Sequence, residues 1–153
     1  MKTYIFTNVF LLMLTSNVLA YNQKSLDKID ALTKKSKVEE EVLDLKQADL
    51  SRRDLTKIKF KKAILEGANL SNANLTATNF TNANLKNANL EGSNLERANF
   101  TGADLKCANL KNTKAEAANF SDADLRGAKL NNMYKKKTNF EGAKFRGFVD
   151  CNK

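Results

Sequence analysis

The sequence predicts an all-β solenoid: a quadrilateral β-helix of about five coils, preceded by a short helical leader. Three observations carry this expectation. Large apolar residues recur every five positions from Leu45 to Phe145, glycine and asparagine recur two positions after them, and phenylalanine recurs every twenty.

The five-residue period comes first. Each unit is named by its central residue, and 21 units run from Leu45 to Phe145. The centre is Leu or Phe in 19 of them, all but Ala115 and Lys135. The residue two before the centre is Ala, Ser or Thr in 17 units, and the residue just before it is Asn or Asp in 15. A period of five matches neither the 3.6 of a helix nor the 2 of a strand, so either would scatter the large residues over every face. The chain must instead turn once per unit to point each centre inward again.

The slot two after the centre marks the turn. It holds all six glycines and five asparagines (Asn72, Asn82, Asn87, Asn112 and Asn132), the residues that accept positive φ at a corner. Proline is absent, as expected where nearly every N–H bonds a neighbouring rung. Coil size follows from Phe60, Phe80, Phe100, Phe120 and Phe140, spaced twenty apart. Four units per coil stack these rings in one core column, and the exceptions Ala115 and Lys135 then stack in another.

Stretches such as ANLSNANLTATNFTNANLKNANL, Ala68 to Leu90, resemble the pentapeptide-repeat family, whose unit is A-[DN]-L-x-x. The resemblance covers residues 43–147. It implies a right-handed quadrilateral β-helix with Leu, Phe and small residues inside. The family's best-known activity, mimicry of DNA that protects a topoisomerase, requires a negatively charged rod. This chain carries 20 basic and 12 acidic residues from Leu43 onward, which opposes that activity. Members that protect gyrase dimerise through their ends. Phe140, Phe145, Phe148 and Val149 gather at the C-terminus here, leaving monomer and C-terminal-end homodimer both open.

Four segments are expected. Residues 1–20 have the layout of a secretory signal peptide: Lys2, an apolar run from Ile5 to Leu14, and small or apolar Val18 and Ala20 before a cut. The expected location is exported, periplasmic or secreted, with no membrane span after cleavage. Residues 21–42 read as a helical leader or cap, with Ser25 at a helix start and Leu26, Ile29 and Leu32 on one face. Residues 43–147 form the β-helix and 148–153 a tail.

Composition argues against an enzyme. With no His and only two Cys, the commonest general base and the usual zinc sets are missing. Asp49, Asp54, Asp104 and Asp124 share the slot that Asn fills elsewhere and read as structural. No catalytic, cofactor or metal site and no small-molecule substrate is expected.

The 153-residue chain has a formal charge of +9, unevenly spread. Residues 63–113 balance to zero. One basic cluster, Arg52, Arg53, Lys57, Lys59, Lys61 and Lys62, lies in the first coil. The other, Lys135, Lys136, Lys137, Lys144, Arg146 and Lys153, lies at the far end. The functional reading is contact with a polyanionic envelope component or an unknown protein partner. The plainer one is edge protection, since Lys on a terminal coil discourages end-to-end stacking. Lys135 stands in an inward slot and Arg53 in a small-residue slot, so both units are expected to bulge and turn these cations outward. Finally, Cys107 sits at a corner and Cys151 in the tail. A regular coil would leave them roughly 10 Å apart, too far for a disulfide unless the tail folds back.

Overall fold

A computed structural model describes residues 42–151. The signal-peptide and helical-leader expectations, and Lys153, lie outside the described residues.

The chain winds with the predicted register. Every parallel bridge joins residues twenty apart, from Asp44 with Ile64 to Asp124 with Lys144. The backbone bonding explains why. The centre's N–H donates to the next coil, as Leu45 does to the Ile64 carbonyl at 2.7 Å, and the corner's N–H does likewise, Gln47 to Glu66 at 2.9 Å. The residue before the centre donates to the previous coil, as Ile64 does to Leu43. Within most turns the N–H of the residue after the corner donates to the centre three back, as Ala48 does to Leu45 at 3.0 Å. Each coil thus hangs from both neighbours, and a proline would remove one of these donors.

All 21 corner residues have positive φ, although only eleven are Gly or Asn. Gln47, Arg52, Lys57, Lys62, Ala77, Arg97, Cys107, Ala117, Asp122 and Lys137 adopt it too. This is the third residue of a turn closed by a bond to its first, the position that type II turns place there. Coil hydrogen bonds on either side outweigh the left-handed strain of about 1–2 kcal/mol at each non-glycine corner.

The core is built of columns. Phe60, Phe80, Phe100 and Phe120 are fully buried, and the five rings stack with centroids 4.6–5.3 Å apart. Small residues fill the gaps between centres. Where these are hydroxylated they bond a nearby carbonyl: Thr78 donates to Leu55 O at 2.8 Å, Ser93 to Leu90 O and Thr113 to Leu110 O. Among the described residues no buried side-chain polar atom lacks a partner.

Both expected bulges are corrected. The Lys135 unit keeps the register: Tyr134 bridges Lys114, and the Ala115 N–H reaches the Tyr134 carbonyl at 2.7 Å. Lys135 is exposed because it tops its column in the last coil, so an inward slot there faces solvent. Arg53 is also in register, accepting the Asn74 N–H at 2.8 Å, and is half-buried near the other end of the rod.

Candidate functional site

The slot before each centre proves to be a turn device. All 15 Asn and Asp there accept, through Oδ1, the backbone N–H two residues on. A short side-chain acceptor is what that geometry needs. Asp49, Asp54, Asp104 and Asp124 are among the 15, so their carboxylates do structural work. Sequence reading assigned the slot to structure but missed the bond.

The basic residues are arranged around the ends rather than on one side. In the first coil Arg52, Lys57, Lys59, Lys61 and Lys62 are exposed, and the twenty-residue register spreads them over successive faces. In the last coil Lys135, Lys136, Lys137, Lys144 and Arg146 are exposed. Lys135, Lys136 and Lys137 lie on the face of the Leu55 column. Lys144 and Arg146 lie on the opposite face, that of Leu45.

The register also creates a basic column that linear counting missed. Lys86, Lys106, Arg126 and Arg146 are twenty apart and therefore follow one another up one face. Beside them runs the column of Asp104 and Asp124. Lys106 pairs with Asp104 at 2.9 Å and reaches Asp124 at 4.0 Å, while Arg126 pairs with Asp124 at 2.7 Å. The Arg126 hydrogen bond is the main cause holding Asp124 below the usual carboxylate range, against the opposing effect of its burial. Asp124 in turn raises the Arg126 guanidinium. A search for cations twenty apart would have found this column.

The C-terminal end departs most from expectation. Cys107 and Cys151 form a disulfide with Cα atoms 5.5 Å apart, which corrects the estimate from a regular coil. The tail does fold back. Twenty corners have φ between 55° and 72°, but Gly147 has 122°, where the chain leaves the coil. The intervening corner, Gly127, makes room for the bridge: a Cβ there would lie 2.8 Å from Cys151 Sγ and 3.2 Å from Cys107 Sγ. The strap carries Phe148, which is 92% exposed. Phe145 and Tyr134, in the same last coil, are 46% and 51% exposed, and the Phe145 ring tilts against Phe140 at 5.6 Å. Among the described residues no group of His, Cys, Asp and Glu is placed to hold a metal.

Five-residue units, a turn at every fourth part of the coil and an Asn/Asp acceptor in each turn define a class of quadrilateral repeat solenoids. The chain belongs to the pentapeptide repeat family: a pentapeptide repeat region matches residues 43–120, and pentapeptide repeats match residues 118–147. Structures of this kind are right-handed quadrilateral β-helices. Among solved structures, the chain is similar to the pentapeptide repeat protein Rfr23 from the cyanobacterium Cyanothece 51142. Identity there is 31% over 61% of this chain and 64% of that one, with a TM-score of 0.60. It is similar to HetL from Nostoc sp. strain PCC 7120 (26% identity, 66% and 59% coverage, TM-score 0.31). It is also similar to a pentapeptide repeat protein of the Arabidopsis thaliana thylakoid lumen (34%, 65% and 63%, TM-score 0.26). The chain thus spans somewhat less than two thirds of each of these relatives. No curated protein matches it.

Proposed function

We propose that the protein is an exported, non-enzymatic binding scaffold that contacts polyanions through its basic ends. The observation that carries this reading is the exposure of ten of the eleven end cations, all but Arg53. In the middle, by contrast, Lys106 and Arg126 are half-buried and paired with aspartates. Exposed cations are the ones an external anion can reach. Export is supported by the layout of residues 1–20 and by the Cys107–Cys151 bridge, since disulfides persist in oxidising compartments. The net positive charge opposes DNA mimicry.

The test is binding to heparin, lipopolysaccharide and duplex DNA at low and moderate salt. Affinity should fall steeply with salt, since the contact is electrostatic. Lys136→Glu/Lys137→Glu should weaken it more than Lys86→Glu/Lys111→Glu, which changes the same charge in the middle. Equal binding by both variants, or no binding at low salt, refutes the reading. The end lysines would then protect the open coil edge, and Lys136→Glu/Lys137→Glu should aggregate. For export, intact mass from the native compartment should begin at Tyr21; a mass that retains Met1 or Lys2 refutes cleavage.

A further inference from the structure

Of the four large hydrophobic side chains that stand exposed among the described residues, three are Tyr134, Phe145 and Phe148, all in the last coil or its strap. The same end carries the exposed cations Lys135, Lys136, Lys137, Lys144 and Arg146. Either feature alone is ordinary. Together they place exposed rings on a terminal coil and strap whose opposite faces carry a rim of cations, and that combination selects among polyanions. Heparin, wall polymers and nucleic-acid backbones satisfy the rim but offer no apolar interior to Phe148. A second copy of the chain would satisfy the rings but bring a like-charged rim against this one. An anionic phospholipid bilayer supplies both: headgroups for the lysines and an acyl boundary for the rings.

We propose that the C-terminal end docks on an anionic phospholipid membrane, Phe148 entering the headgroup–acyl boundary while the surrounding lysines bind phosphates. The inference rests on the polyanion reading above and names its partner. The Cys107–Cys151 bridge has a direct part in it. The strap from Gly147 to Cys151 is closed at its far end on Cys107, so Phe148 is presented on a pinned loop rather than a free tail. A ring already held in place loses less freedom on insertion.

The protein contains no tryptophan, so Phe148→Trp is a silent-background reporter. Its emission should shift to the blue on mixing with phosphatidylcholine vesicles containing phosphatidylglycerol, and not with phosphatidylcholine alone. Lipids brominated on the acyl chains should quench it. Opening the bridge with reductant should diminish the shift. In co-sedimentation, Phe148→Ser should lower partitioning onto the anionic vesicles by about tenfold or more, the loss expected from removing one buried aromatic. Heparin binding of Phe148→Ser should stay unchanged, with circular dichroism confirming the fold. If Phe148→Ser binds vesicles like the unaltered protein, or Phe148→Trp binds them without a shift, insertion is refuted and a purely electrostatic contact stands. If heparin binding also fails, the polyanion reading falls with it. A concentration-dependent dimer abolished by Phe148→Ser, with no vesicle binding, assigns the surface to a second copy and overturns the proposal.

Discussion

Replacing Phe100 with alanine should weaken the rod more than any single exposed change. Its ring is fully buried and stacked between Phe80 at 4.8 Å and Phe120 at 4.6 Å, with interplanar angles of 10° and 3°. Relaxation into the space is hindered because the backbone is held from above: the Phe100 N–H donates to Asn119 O at 2.6 Å. The site therefore belongs near the upper end of the ~3–5 kcal/mol seen for Phe→Ala in cores. At roughly 4–8 °C per kcal/mol for a domain near this size, thermal melting should fall by about 15–40 °C. Phe140→Ala is the internal comparison. Phe140 is only half-buried, has a stacked ring on one side, and should cost about half as much. Arg97→Ala, at an exposed corner where alanine already occurs in the same column (Ala77 and Ala117), should scarcely matter. Melting followed by β-type circular dichroism reads all three. If Phe100→Ala melts like Arg97→Ala, or Phe140→Ala costs more than Phe100→Ala, the stacked core column does not determine stability.

Three further outcomes follow from other parts of the coil. Cys107→Ser should destabilise the oxidised protein by up to ~4 kcal/mol, the chain-entropy value for a bridge spanning 44 residues; a melting temperature insensitive to both Cys107→Ser and reductant refutes it. Asn99→Ala should cost about 1–2 kcal/mol, because Asn99 Oδ1 accepts from both the N–H and the hydroxyl of Thr101, at 3.0 and 2.6 Å, whereas Asn99→Asp keeps the acceptor and should cost less. Because Asp124 is depressed in the fold, its contribution is present above its ordinary value of 3.8 and is lost as pH falls through the lower folded value. Acid melts should show this loss and Asp124→Asn should not, with identical acid profiles as the refuting result.

The parts legible in the sequence are those where one residue type alone solves a steric problem. Rings twenty apart declared the Phe column, and the period of five excluded helix and strand. The corners were legible only in part. Gly and Asn revealed the slot, yet Arg97 and Cys107 take the same φ because coil hydrogen bonds impose it, and no propensity announces that. The bridge was hidden because the estimate continued the coil upward past Gly147. The reversal depends on a φ of 122° there and on the missing side chain at Gly127, neither visible as a pattern. Charge was misread for a different reason. Windows along the chain averaged Lys86 and Lys106 into a neutral middle, whereas neighbours on this surface are twenty residues apart.

That spacing explains why the last coil, rather than the sides, ends in a run of like charge. Stacking like residues at about 4.8 Å puts like charges in register, a repulsion of roughly 1 kcal/mol per step in water and about 3.5 kcal/mol at an effective dielectric of 20. The sides relieve it locally. On the Phe face, Asn79, Asn99 and Asn119 carry no charge and bond Thr81, Thr101 and Ser121 or the backbone N–H groups beside them. On the Leu45 face, Asp104 and Asp124 alternate with Lys106 and Arg126. In the last coil that acidic column changes sign: the next residue after Asp124 is Lys144, and it stands two residues from Arg146. The ladder therefore ends with two cations in adjoining columns, which is why like charge gathers at this end of the rod although the column below it alternates in sign.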